Sequence, residues 1–332
     1  MTQDSLTAVQ YGIGPIGSRI VNAAHRTGVE FVGAIDIDPE KVDEDLGEVA
    51  GVGEELGVEV TDDAAAALAT EPDVVFHSTV SSVEVAAPQL KEALEAGASV
   101  VSTTEELSYP WWSNPAVAAE LDEAAEAHGG TVLGAGINPG FVMDAMPAVL
   151  STPMAEVDAV RVERVQNASE RRKPLQEKVG AGVTEETFEA EIATEAGHVG
   201  STESVAMLAD ALDFELDEIE ESIEPVVADD RVETDYLTAE AGEVAGIKQV
   251  AHGYEDGEPV VELDLQMYVG ADDPHDRVEF DGEPDVAIEV EGGYHGDVST
   301  SAVVANVAPT VVDADPGLAT MTSLPTSYSR QE

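Results

Sequence analysis

No cysteine occurs among the 332 residues, which removes disulfides, thiolate zinc sites and cysteine nucleophiles together and leaves redox compartment open. Positive charge is nearly as scarce. Lys and Arg number 14 against 69 Asp and Glu, a formal net charge of −55, so nucleic acid, whose binding begins with neutralised phosphates, is not expected as a partner. There is no apolar run near 18 residues and no charged leader ahead of an apolar stretch, so neither membrane spanning nor secretion is expected. No loop carries the alternating Asp, Gly turn and closing Glu of a calcium site. The seven histidines, at 25, 77, 128, 198, 252, 275 and 295, lack helical His-x-x-x-His spacing, and no metal is expected.

What is present is an ordinary interior under an abnormal surface. The hydrophobic fraction is 43%, close to that of globular proteins, and the acids are scattered between periodic apolar segments, so the chain folds. A surface that repels itself this strongly suits molar salt, where the Debye length is about 3 Å, and points to the salt-rich cytoplasm of a halophile. The length suits two domains.

Residues 1–150 alternate short β-branched runs with helical patterns, the mark of βαβ units on a parallel sheet. Strands are expected at Leu6–Tyr11, Glu30–Ile35, Val74–Ser78, Ser99–Ser102 and Thr131–Leu133. A helix capped by Asn114, with Pro115 first and Gly129 after its end, and another closed by Gly97, fit between them. From 151 to 298 the segments lengthen and alternate, at Val157–Val165, Glu243–His252, Val260–Tyr268 and Val286–Val290, which reads as a mixed sheet with helices at Ser201–Leu212 and Glu215–Ser222. The segment 299–332 starts with a helix apolar on most sides, expected to return to the first domain, and ends in a frayed tail.

Directly after the first strand stands Gly12-Ile13-Gly14-Pro15-Ile16-Gly17, opening a helix from Ile16 to Arg26. Glycines at this spacing allow a tight turn, close approach of a pyrophosphate to bare backbone, and close helix–strand packing, while the helix N-terminus supplies amide donors. Asp36 ends the second strand, in reach of an adenosine ribose. The expected cofactor is therefore NAD or NADP in a doubly wound, Rossmann-type domain, with NAD favoured because Asp36 accepts from a 2′-hydroxyl and repels a 2′-phosphate. Lys41 nearby keeps dual use open.

Strand ends in such a sheet converge on one crevice. Ser78, Thr79, Thr103, Glu105 and Asn138 each follow an expected strand closely. Ser78 and Thr79 are expected at the nicotinamide ribose, and Asn138 and Pro139 with Phe141 against the ring. The pair Glu105-Glu106, before the bulky Tyr109-Pro110-Trp111-Trp112 wall, suits a partly desolvated base. Of the 14 basic residues, six lie between 161 and 178; Arg164 is expected to clamp a substrate carboxylate, with Lys248 as a second candidate. A salt-bridge role in a subunit interface fits these arginines equally. His198 and His295, in Gly-flanked turns, are candidates for the active crevice, whereas His77 and the others are expected to be solvent-exposed or core-satisfied.

Gly12–Gly17 with Ala34-Ile35-Asp36, Phe76-His77-Ser78-Thr79, the run Ser102 to Trp111, Gly136-Ile137-Asn138-Pro139-Gly140-Phe141 with Asp144, Arg171 to Gln176, His198-Val199-Gly200-Ser201 and His295-Gly296-Asp297 resemble the 2,4-diaminopentanoate dehydrogenase family, within the dihydrodipicolinate reductase-like group. The resemblance covers most of the chain. It implies a Rossmann domain followed by a mixed-sheet α/β domain of dihydrodipicolinate reductase-like type for substrate binding and oligomerisation. The implied reaction is NAD(P)-dependent oxidative deamination at a C–NH₂ carbon, or its reverse. It also implies Glu105, with Glu106 adjacent, as the carboxylate that holds the reacting nitrogen. The His-His pair, Lys and Ser-Gly-Thr anion site of a true dihydrodipicolinate reductase are absent from the sequence. The expected partner is a small amine or amino acid, in a homodimer or homotetramer. An imine reductase of dihydrodipicolinate reductase type and a non-catalytic NAD-sensing regulator are the alternatives.

Overall fold

The computed structural model describes residues 5–193 and 197–329, which divide into two compact units, 5–141 with 295–329 and 142–294. The boundaries expected at 150/151 and 298/299 thus lie at 141/142 and 294/295. The reason at the first is Asp144: it is fully buried, caps the helix Ala145–Leu150 through Ala145 N, and accepts from Ser204 Oγ at 2.8 Å, deep in the second unit.

In the first unit, strands β1 (Thr7–Tyr11), β2 (Glu30–Ile35), β3 (Val60–Thr61), β4 (Val74–His77), β5 (Ser99–Ser102) and β6 (Thr131–Gly134) are all parallel, in the order β6-β5-β4-β1-β2-β3. Every residue of β4, β5 and β6 is buried, because crossover helices cover both faces of a parallel sheet. The helix Pro15–His25 turns Gly17, Ile20, Val21 and Ala24 inward. Pro115 opens the helix Pro115–His128 and Gly129 ends it at φ +78°, while Asn114 holds the cap position without a side-chain capping bond. The C-terminal segment does return: the helix Gly296–Val312 buries Val304, Ala305, Val307, Ala308 and Val311 against the first helix and β4 to β6, and Gly317–Ala319 pairs parallel with β6 as a seventh strand. Of the expected frayed tail, Ser327 Oγ bonds Thr310 Oγ1 at 2.8 Å, and 330–332 lie outside the described residues. Strand order reverses between β1 and β4, so the crevice beyond their carboxyl ends is where a ligand of this fold lies.

The second unit carries β7 (Glu156–Asn167), β8 (Glu218–Val227), a small hairpin of β9 (Val232–Glu233) and β10 (Thr238–Ala239), then β11 (Val244–Glu255), β12 (Glu258–Tyr268), β13 (His275–Glu283) and β14 (Val286–Glu291). The six long strands form one mixed sheet, β14-β13-β7-β12-β11-β8, in which β7 and β12 are parallel and the other neighbours antiparallel. Alternation places Val162, Leu263, Leu265, Ile247 and Val278 in the core, where the helix Ser201–Ala211 packs on β11 and β12. The helix expected at Glu215–Ser222 is instead strand β8. Ladder pairing to β11 from Glu218 through Val227 outweighs the helix preference of its glutamates, and Pro225 suits an edge strand but no helix interior. Strand β13 was hidden by its charges: Arg277 and Glu279 face outward between buried Asp276, Val278 and Phe280.

Candidate active site

The glycine loop is built by exclusion of side chains. A Cβ on Gly12 would stand 2.6 Å from Ser78 O and one on Gly17 2.1 Å from Gly12 O, whereas Gly14 faces open space. That opening, with no acid in the first helical turn and Pro15 where no N–H is required, leaves a cradle that fits a pyrophosphate at a helix N-terminus. Ile13 is buried and Ile16 packs on the core, so both act on the loop's shape. Ser78 does not project to a ribose as expected. Its hydroxyl donates to Gly12 O at 2.8 Å, and fully buried Gln10 donates through Nε2 to Gly12 O at 2.8 Å and Ser78 Oγ at 3.1 Å. Gln10 thus locks the loop from below; a lone amide in the apolar strand Thr-Ala-Val-Gln-Tyr was its sequence signal.

Asp36 closes the other side. Its Oδ1 accepts from Asp38 N at 2.9 Å, and its Oδ2 from Ile13 N at 2.7 Å and Lys41 Nζ at 3.1 Å. Partial burial works to raise its pKa, but these hydrogen bonds and the Lys41 charge hold it below the usual carboxylate range. Beside it Ile37 is 87% exposed, an apolar ledge at the strand end.

Beneath the crevice runs a buried polar relay. Thr104 Oγ1 donates to Val80 O at 2.8 Å and accepts from Ser102 Oγ at 3.0 Å, so Ser102 in turn accepts from His77 Nδ1 at 2.8 Å. His77 Nε2 lies 2.9 Å from Thr79 Oγ1 and 2.8 Å from Gln89 Oε1. Burial pushes the His77 pKa down to about 4, so the ring is neutral. Thr79 Oγ1 is engaged by this relay and by Gln89, which makes it a support of the β4 loop. Of the solvent-exposed and core-satisfied roles expected for His77, the structure shows the second.

The two adjacent glutamates separate. Glu106 Oε2 accepts from Val83 N at 2.8 Å and so ties the start of the helix Val83–Glu95; it is a cap, not a second catalytic acid. Glu105 opens a single 3₁₀ turn, Glu105–Leu107, three residues past β5, and its half-buried carboxylate makes no bond to another described residue. Asn138, past β6, is likewise half-buried with its amide unengaged among the described residues, and it precedes buried Pro139 through a cis peptide. Phe141 is the last residue of this unit before the chain enters the second.

The remaining candidates disperse. Arg164 is buried beside Asp276, with Nη2 donating to Tyr294 O at 2.7 Å while Tyr294 N donates to Asp276 Oδ2 at 2.7 Å. It clamps the end of the second unit and does not reach a substrate, because it is buried, its charge is paired with Asp276, and Nη1 and Nη2 both donate within the fold. Lys248 pairs with buried Asp264 at 3.1 Å on one face of the sheet, next to Arg161. Its neighbour Gln249 points to the other face and holds the His198 backbone through both N and O, so Lys248 and His198 occupy opposite faces. His198 Nδ1 lies 2.8 Å from Val199 O. In the first unit His295 caps the last helix, accepting from Val298 N at 3.5 Å.

A parallel sheet with an open glycine cradle at its switch point defines an NAD(P)-dependent oxidoreductase. The comparisons name the branch. Residues 141–331 match the family model of the 2,4-diaminopentanoate dehydrogenase C-terminal domain, and residues 9–131 that of the dihydrodipicolinate reductase N-terminus. The 2,4-diaminopentanoate dehydrogenase of Acetoanaerobium sticklandii is 35% identical over 76% of this chain and 74% of its own. An amine dehydrogenase of Streptomyces virginiae is 25% identical over 94% of both. The solved structure of an amine dehydrogenase from Mycobacterium smegmatis superposes with a TM-score of 0.85 at 27% identity, covering 99% of this chain and 98% of that one. The chain belongs to the 2,4-diaminopentanoate dehydrogenase family.

Proposed function

We propose that the protein oxidatively deaminates a small diamino acid of the 2,4-diaminopentanoate kind, or runs the reverse reductive amination, with NAD preferred over NADP. The observation that carries this reading is Glu105: a half-buried carboxylate, unengaged among the described residues, on the strand-end crevice that also holds the glycine cradle and Asp36. Gly14, the first-turn amides and Asp36 would hold the dinucleotide, which supplies the hydride acceptor when bound. Glu105 takes a proton from the substrate ammonium, so that the nitrogen lone pair is free as the C–H bond breaks; water then adds to the resulting iminium and loses one proton to solvent, Glu105 returns its proton to the carbinolamine nitrogen, and the C–N bond breaks to give the ketone as the hydroxyl proton passes to the departing ammonia, which leaves as ammonium. Asn138 presents its amide to the reacting region and the His77 relay fixes the loops that carry Thr79 and Glu105, orientation being the protein's main contribution.

The test is absorbance at 340 nm with ammonia assayed in parallel, in about 2–3 M KCl to screen the acidic surface. Equal NADH and ammonia from 2,4-diaminopentanoate support the reading. Silence across diamino acids and amines, with NAD still bound, overturns it in favour of an imine reductase or an NAD sensor.

We also infer a homodimer in a salt-rich cytoplasm. Arg161, Lys248 and Arg277, with His252 and His275, share one face of the second unit's sheet with Glu163, Glu220, Glu224, Glu262, Asp264, Glu279, Glu289 and Glu291. The cations paired on this face lower the repulsion that a purely acidic surface brings to a second copy, and salt screens the rest. Light scattering showing a single-chain mass in molar KCl would remove this inference.

A further inference from the structure

Cations in this chain commonly pair with its abundant carboxylates, as Lys91 does with Glu120, Arg161 with Glu262, and Arg231 with Glu233 and Glu240. Two arginines of the first unit do not. Arg19 makes no bond to a described residue, and Arg26 bonds only a backbone carbonyl, Asn22 O, through Nε at 3.1 Å. Both are exposed, and both line one groove of about 410 Å³, with Ser18 and Asn22 beside them and Val298 and Ala302 from the helix Gly296–Val312. Among the described residues no acid lines it. We propose that this groove binds a small organic dianion with a negative group at each end, of the α,ω-dicarboxylate kind, as a site separate from the dinucleotide cradle. The proposal does not depend on the reaction assigned above.

The spacing of the arginines sets the shape of the ligand. Arg19, Asn22, Ala23 and Arg26 recur at i, i+3, i+4 and i+7, one face of the helix Pro15–His25 and its cap. From Arg19 to Arg26 the helix rises about 10 Å, at about 1.5 Å per residue, so each guanidinium fork meets its own anionic group. Between them Ala23, with Val298 and Ala302, presents only hydrocarbon, which suits an aliphatic middle. Ser18 Oγ bonds no described residue and adds a donor beside Arg19. The frame is fixed: Asn22 Nδ2 donates to Ser18 O and to Ala50 O, both at 2.8 Å, and the Arg26 Nε bond to Asn22 O orients its guanidinium. The volume is that of a small-molecule site, about 300–1,000 Å³. An acidic macromolecule, by contrast, would meet the repulsion of the whole −55 surface.

The test titrates suberate, succinate and octanoate calorimetrically into the full chain in about 2 M KCl, with and without saturating NAD. Suberate reaches both arginines, succinate is too short, and octanoate has the chain length of suberate with a single charge. Suberate is expected to bind about tenfold more tightly than either, the effect of one hydrogen bond between charged groups. Arg19→Ala and Arg26→Ala each remove that advantage while the thermal midpoint stays near that of wild type. Val298→Glu, an acid in the first turn of its helix where acids are favourable, removes it as well. Equal affinities for the three acids, or no binding of any of them, overturn the proposal. So does an advantage that survives Arg19→Ala and Arg26→Ala, which places suberate elsewhere. Binding that saturating NAD abolishes belongs to the cradle and overturns the separate site.

Discussion

Adjacent residues of the same type do unlike work here, and substitution separates them. Glu105→Gln removes the proton acceptor proposed above while keeping its shape; turnover should fall about 100-fold or more with dinucleotide affinity retained, since general acid–base catalysis contributes about 10²–10⁴. Wild-type rates in that variant would remove Glu105 from the chemistry. Glu106→Ala should instead lower the urea midpoint, at a cost of about 1 kcal/mol for a lost helix-terminus bond. His77 makes a pH prediction. Its folded pKa of about 4 lies below the unfolded value of about 6.5, so on acidification the unfolded chain takes up the proton first. The stability it contributes is complete above pH 6.5 and falls by about 3 kcal/mol as pH drops to about 4, at roughly 1.4 kcal/mol per unit. In His77→Gln this part of the acid slope should vanish; equal slopes for the two proteins in urea titrations between pH 4 and 7 would refute it. Much of this was legible in the residues themselves. The glycine spacing could be read because only glycine fits at positions 12 and 17, and Asp36 and Glu105 stand out as acids at strand ends, where the proposed chemistry needs them. Glu106, Ser78 and Arg164 misled because a carboxylate, hydroxyl or guanidinium looks the same in sequence whether it faces a ligand or a backbone amide.

Elements show the same limit. Strands buried on both faces, such as β5, declare themselves as apolar runs, and β2 and β5 match their expected bounds residue for residue. Strands β8 and β13 face solvent on one side and carry acids there, so in this composition their alternation is masked by charge. The loop between β1 and the first helix offers a sharp contrast between its glycines. Gly17→Ala must displace Gly12 O from 2.1 Å and should destabilise the fold, whereas Gly14→Ala meets nothing within 4 Å and should fold normally yet bind the dinucleotide more weakly, as read by calorimetry beside thermal melts. At the far end of the second unit, Arg164→Ala leaves Asp276 as an unpaired buried charge; the loss should be about 3–5 kcal/mol in denaturant titrations.

For the whole molecule the net charge of −55 dominates behaviour in solution. Midpoints of thermal unfolding should rise as KCl goes from low to molar concentration, because screening relieves self-repulsion; a midpoint independent of salt would argue against the halophilic reading. The chain path matters as much as the charge. The first unit takes its seventh strand and a covering helix from residues after 294, whereas the second is closed by 142–294 alone. During synthesis, at about 5–20 residues per second, the second unit can therefore complete itself while the first still shows bare Val and Ala along one sheet face, waiting for Gly296–Val312 to emerge. A nascent chain stalled near residue 294 is thus predicted to be the most aggregation-prone stage in the protein's life, and the one with most need of a chaperone.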